Sequence, residues 1–159
     1  MLASRPQLKR DPLAGGYLNG RGTTMSSSFW LAVAAYLLPT FPLGYFWHLK
    51  TFHAEYSRLE VYREHVIVPV GLSSMVIQSV LFAWAYPHLF STAHDAWLGG
   101  ALRFGVFFGA LAWSFAVLPA AAKYRMSSVS SFLRLETAFT LVHFAIVSPL
   151  IALAWRGAS

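Results

Sequence analysis

Four long apolar runs, at residues 29–47, 66–86, 101–122 and 132–155, fill most of the chain after Met25 and constrain it more than any other feature. Each is close to the roughly 20 residues a helix needs to cross a hydrocarbon core about 30 Å thick. Few residues within them carry charge. A helix at the surface of a water-soluble domain needs a polar face, and these segments largely lack one. The pattern predicts an all-α fold, a four-transmembrane-helix antiparallel bundle. The connections are short, which forces sequence neighbours to run in opposite directions.

Composition agrees. Of 159 residues, 57% are hydrophobic and 11% are charged, whereas soluble domains carry about a quarter charged residues. The length suits one bundle with no second globular domain. The absence of cysteine excludes disulfides, thiolate metal sites and cysteine nucleophiles. The net charge of +6 does not point to nucleic acid. Four of the twelve basic residues, Arg5, Lys9, Arg10 and Arg21, precede the first span, and the others flank apolar segments. No basic stripe with interleaved exposed aromatics exists.

Residues 1–28 are polar and turn-rich, with Pro6, Pro12, Gly15, Gly16, Gly20 and Gly22, and read as a partly disordered tail ahead of a membrane domain over 29–159. They lack the apolar stretch of a cleavable signal. Initiation at Met25 is the alternative to Met1, and the first span would then direct insertion. The one–two and three–four connections share a side and hold Lys50, Arg58, Arg63, Lys123, Arg125 and, at the boundary, Arg134. Counting only the charges near the spans, the positive-inside rule puts these connections in the cytoplasm and the termini outside; counting the whole tail makes it a tie.

The spans differ. Span one contains Pro39 and Pro42, which remove backbone donors and predict a kink or a break. In the following link Phe52, Tyr56, Leu59 and Tyr62 recur at helical spacing among the polar residues His48, His53, Glu55, Arg58 and His65. An amphipathic interfacial helix is expected there, with those five residues as an interfacial polar cluster and Glu55–Arg58 as an i,i+3 ion pair. Span two is nearly pure apolar but for Ser73, Ser74 and Gln78, and ends at Tyr86-Pro87. Span three carries Ala101, Gly105 and Gly109 on one stripe, a spacing that lets backbones approach closely, inside the bundle or against a second subunit. Arg103, early in that span, is expected to anchor to lipid headgroups or to pair with Asp95.

Glu136, Thr140 and His143 form the foremost candidate cluster. At spacings of four and three they share a face of span four. Ionisable groups inside a span are costly unless they meet partners or water, so they point inward. Their expected roles are a ligand pocket or proton relay, or an interhelical hydrogen-bond network with Gln78 or Ser74. The six histidines do not form a ligand pattern: their depths do not match for a bis-histidine haem, and no metal site is expected. No nucleophile elbow, HExxH, phosphate loop or catalytic carboxylate pair is present. No catalytic residue and no cofactor is therefore assigned, although lipid, quinone or pigment fits such a pocket.

Three segments, Gly44-Tyr45-Phe46-Trp47-His48-Leu49, Leu102-Arg103-Phe104-Gly105 and Leu135-Glu136-Thr137-Ala138-Phe139, give the chain a resemblance to small bacterial four-helix membrane proteins of unassigned function. The resemblance implies four spans and no settled activity. Phe52-His53-Ala54-Glu55 also resembles a local motif of the four-helix, haem-binding protoporphyrinogen oxidases. The chain lacks their downstream Asn-Glu-Pro pattern, so that activity is not carried over.

Two functions follow from this reading. The first is a non-catalytic accessory or structural subunit, packed against a larger membrane complex or against itself. The second is a small-ligand protein that binds or moves a lipid, quinone, pigment or ion through a pocket around Glu136, His143 and Gln78. Membrane lipids are partners in either.

Overall fold

The computed structural model describes residues 21–63 and 65–158, with side chains from Ser27 onward. The expected tail lies mostly outside the described residues. Helix α1 covers Arg21–Phe46 and continues through a wider π turn at Trp47–Thr51; α2 is His53–Leu59 and α3 is Val68–Leu89. Helix α4, Trp97–Ala112, passes through a π turn at Trp113–Val117 into α5, Leu118–Lys123, and α6 is Val129–Ala154. The described residues contain no strand. Four stretches are long and apolar enough to cross a membrane: Ser27–Thr51, Val68–Leu89, Trp97–Lys123 and Val129–Ala154.

The boundaries depart from the sequence reading in instructive ways. Helix α1 begins at Arg21, inside the segment read as tail, because no proline or glycine interrupts the chain between Gly22 and Pro39 and extending a helix is far easier than nucleating one. It also runs unbroken through Pro39 and Pro42; the interruption comes later, at Phe52 (φ −107°, ψ 18°). Helix α3 likewise includes Pro87 in its last turn and ends at Leu89. Helix α2 stops at Leu59, because Glu60 takes a left-handed conformation (φ 59°) whose N–H closes on the Ser57 carbonyl. Tyr62 therefore leaves the helical register that its spacing suggests.

Helix α6 is the hub. It packs against α1 on one flank and α4 on the other, and α1 in turn packs against α3. His143, Phe144, Val147, Ser148, Ile151 and Ala152 of α6 are all buried. Facing residues run in opposite sequence order: Tyr36 and Thr40 meet His143 while Trp47 meets Phe139, and Trp113 bonds Thr137 while Gly105 lies against Ser148. Between α1 and α3, Tyr36 reaches Gln78 and Phe82, and Gly44 faces Met75.

The core has two parts. The larger joins Tyr36, Ala83, Tyr86, Phe104, Phe144, Val147 and Ile151, with Phe82 edge-on to Tyr36 and Phe104. The smaller joins Tyr56, Leu59, Val117 and Phe132 at the opposite end. Ser127 ties that end together: its hydroxyl donates to the Arg58 carbonyl at 2.7 Å, and its N–H donates to the Leu59 carbonyl at 3.3 Å. Ser128 then caps α6, its hydroxyl accepting the Ser131 N–H. The short helix α2 is thus pinned beside the first turns of α6, which puts Tyr56 next to Glu136.

Candidate functional site

The polar residues on α6 do not form one cluster. Glu136 and His143 share a face but stand about 10 Å apart along the axis, seven residues at 1.5 Å each, and each has its own partners. Thr140 joins neither group; its hydroxyl donates back to the Glu136 carbonyl at 2.8 Å.

The first group lies at the α2 end. The Tyr56 hydroxyl donates to Glu136 Oε1 at 2.7 Å. Tyr62, released from α2 by the Glu60 turn, stacks flat on Tyr56, with ring centres 4.8 Å apart and planes 9° apart. Its hydroxyl bonds His48 Nδ1 at 2.7 Å, and that nitrogen stands 3.9 Å from Glu136 Oε1. Phe139 closes the other side of the His48 ring at 4.6 Å. Burial, and secondarily the Glu136 charge and hydrogen bond, push the Tyr56 phenol above its usual range. Burial and then the Glu136 charge do the same to Tyr62. Both phenols stay protonated, and so remain donors, across the neutral range.

The second group lies deeper. Thr40 donates its single hydroxyl proton to the Tyr36 carbonyl at 2.6 Å. Its 2.8 Å contact with His143 Nε2 then requires the Nε2–H tautomer of His143 as the donor. The Tyr36 hydroxyl donates to Gln78 Oε1, and Gln78 Nε2 donates to Ser74 Oγ at 3.1 Å. His143 therefore reaches Gln78 and Ser74 through α1. Phe139 stacks on His143 (5.6 Å, 17°) and separates this group from His48.

The first group opens into a groove. Between α1 and the first half of α3 lies a trough of about 510 Å³, inside the ~300–1,000 Å³ range of small-molecule sites. Its length is apolar, lined by Phe41, Leu49, Val70 and Met75 among others, and its end is formed by His48, Tyr62 and Arg63. Gly71 lines it with open space where a side chain would project.

The rest of the interfacial cluster is not drawn together. Glu55 and Arg58 form their ion pair at 3.2 Å on an exposed turn, and His53 and His65 are exposed apart from His48. Helix spacing could not show this, since the chain turns off the helix at Glu60. Arg103 is exposed and, among the described residues, makes no ion pair with Asp95. On the α4 stripe Ala101 is buried, and a Cβ on Gly105 or Gly109 would stand 2.7 Å from Ser148 Oγ or 3.3 Å from the Phe144 ring. Those glycines are used within the chain, where α4 crosses α6. Among the described residues, no group of three His, Asp or Glu could hold a metal ion.

The sequence reading omitted Tyr36, Thr40, Tyr56 and Tyr62 from the site. Thr40, a lone hydroxyl between two prolines in an apolar span, carried the clearest signal. No family model, curated protein or solved structure matches the chain.

Proposed function

We propose that this chain is an antiparallel four-span protein of a bacterial inner membrane that binds one small-headed membrane amphiphile in the α1–α3 groove. The observation that carries this reading is the way the groove ends. An apolar trough leads to His48 and Tyr62, which are hydrogen-bonded to each other and backed by Glu136 and Tyr56. Imidazole and phenol can each donate and accept, which suits a head group bearing carbonyl or hydroxyl oxygens. A quinone is the best fit: a compact oxygen-bearing ring at His48 and Tyr62, with its chain along Phe41, Val70 and Met75. Glu136 beside His48 offers a place for a proton. The basic residues Lys50, Arg58, Arg63, Lys123, Arg125 and Arg134 lie on the groove's polar side, which orients that end to the cytoplasm and the termini outward.

The test is gentle purification in native lipid, followed by extraction and mass spectrometry of bound amphiphiles. Wild type should carry close to one quinone per chain. Gly71→Trp, whose Cβ enters open space and whose ring would occupy the groove, should lose it.

A second reading, an accessory subunit, has one observation in its favour. From Val68 to Gln78 helix α3 is exposed at every position but Met75, and Ser73, Ser74 and Gln78 lie on that stretch. Side-chain amides and hydroxyls facing lipid are better covered by another helix. A protein partner at fixed ratio, with no bound amphiphile, would favour this reading over the first.

A further inference from the structure

His48 and Tyr62 end the α1–α3 groove as a bonded pair, and the bond limits what each can still offer a ligand. Tyr62 Oη and His48 Nδ1 stand 2.7 Å apart, and among the described residues neither atom has another hydrogen-bond partner. Glu136 Oε1 takes the Tyr56 proton and, at 3.9 Å from Nδ1, is beyond hydrogen-bond reach of it. The imidazole itself is fixed. It lies in the π turn at Trp47–Thr51, a widening that recurs at functional sites, and Tyr56 and Phe139 pack on it at 5.0 and 4.6 Å. Its Nε2 has no hydrogen-bond partner among the described residues, yet it is not one of the enclosed unpaired atoms, which belong to Trp47, Tyr86, Ser148 and Trp155. Nε2 is therefore open, on a side chain that lines the groove.

We propose that this pair tells apart the two oxidation states of the bound amphiphile and holds a para-hydroquinone in preference to the corresponding quinone. The inference rests on the quinone reading of the groove. The two nitrogens of an imidazole point away from each other, so one ligand oxygen cannot meet both Nε2 and Tyr62 Oη. Two oxygens on opposite sides of one ring can. Three contacts then need a proton each: Tyr62 Oη with His48 Nδ1, His48 Nε2 with the first ligand oxygen, and Tyr62 Oη with the second.

A neutral imidazole and a phenol supply two protons between them. The Tyr62 phenol keeps its own, held by burial and the Glu136 charge. The third proton must come from the ligand. The hydroquinone brings it, as a hydroxyl that donates to Tyr62 Oη while Tyr62 donates to Nδ1 and Nε2–H donates to the far oxygen. A quinone has only carbonyls here. Turning the Tyr62 proton onto a carbonyl gives up the bond to Nδ1, and moving the imidazole proton to Nδ1 gives up the bond from Nε2. The quinone ends one hydrogen bond short in every arrangement. Arg63, also at this end, donates to an oxygen of either form and does not discriminate. A site built to bond a hydroxyl rejects the analogue that lacks it.

Equilibrium titration of the full chain in phosphatidylcholine nanodiscs tests this, with a decyl-substituted benzoquinone or, under argon, its hydroquinone competing against the tritiated quinone. Each affinity is corrected for partition into empty nanodiscs. Wild type should bind the hydroquinone about threefold more tightly, the worth of one hydrogen bond inside a membrane. Tyr62→Phe keeps the ring that stacks on Tyr56 and should bind both forms equally. A second readout needs no ligand. Nitrogen NMR of the chain labelled at histidine, with the His48 signals assigned by their loss in His48→Gln, should show a neutral ring at neutral pH. Equal affinities in wild type, a preference for the quinone, or a preference that survives in Tyr62→Phe would overturn the inference and leave the quinone reading of the groove standing. An imidazolium at His48 would also overturn it, because the protein would then supply the third proton itself. If neither form binds saturably, the quinone reading falls and this inference falls with it.

Discussion

Helices α3 and α6 are close in length and both strongly apolar, yet they occupy opposite situations. Eight residues of α6 are buried, spread from Phe132 to Ala154, whereas the buried residues of α3 begin only at Ser79. Hydropathy describes what a helix avoids, which is water, and both helices avoid it equally. What decides the neighbours is the distribution of small and polar groups. Helix α6 presents Thr137, His143 and Ser148 to Trp113, Thr40 and Gly105, so it is gripped from two sides. Helix α3 engages through Gln78, Ser79, Phe82 and Tyr86, and leaves its first half free to form one wall of a groove.

The sharpest way to break this comparison is truncation on each helix. Phe144→Ala empties the centre of the core, where the ring touches Phe82, His143 and Gly109, and should cost about 3–5 kcal/mol of unfolding free energy. Ile77→Ala, on the exposed half of α3, should stay within about 0.5 kcal/mol. Reversible unfolding in mixed micelles measures both, and equal losses would erase the distinction between hub and wall. Glycines give the next largest contrast. Gly105→Leu drives a side chain into Ser148 and should cost about 1–3 kcal/mol, while Gly71→Leu enters open space and should cost little.

Smaller effects refine the picture. Thr40→Val removes the link between α1 and His143 and should cost about 0.6–1 kcal/mol, the usual worth of an interhelical hydrogen bond in a membrane. The least conspicuous effect is on alkaline titration. Tyr56 and Tyr62 hold their protons more tightly in the folded chain than in the unfolded one. The folded state therefore binds more protons once pH passes the ordinary phenol value, and their contribution to stability is complete below it and falls as pH rises beyond it. Ultraviolet titration should show that Tyr56→Phe and Tyr62→Phe each remove one late-ionising tyrosine. Loss of a tyrosine from the first wave in Tyr56→Phe would contradict the buried Tyr56–Glu136 contact.

How much of this was legible in the sequence follows the same physics. Four runs without a polar face announce four helices apolar enough to cross a membrane, although the first helix begins at Arg21, ahead of its run. The i,i+4 and i,i+3 spacing of Glu136, Thr140 and His143 gives their shared face, because that is a property of one helix. Their partners are a property of how helices meet. Nothing in the spacing shows that His143 would find Thr40 while Glu136 finds Tyr56, or that Thr140 would bond its own backbone. The link departs from its helical spacing at one place for a specific reason. Apolar spacing continues through Tyr62, but the backbone turns left-handed at Glu60, and Tyr62 comes back over Tyr56 instead of continuing the helix. That turn creates the polar end of the groove.

The central claim is that the α1–α3 groove, ending at His48 and Tyr62, takes a small-headed amphiphile. Photolabelling tests it most directly. A quinone analogue bearing a diazirine on its chain is incorporated with the protein into bilayers, irradiated, and mapped by peptide mass spectrometry. The account predicts labels concentrated at Phe41, Leu49, Val70 and Met75, displaced by unlabelled quinone and lost in Gly71→Trp. Labels spread evenly over other exposed positions such as Leu102, Phe115 and Leu141, and indifferent to competitor, would contradict it.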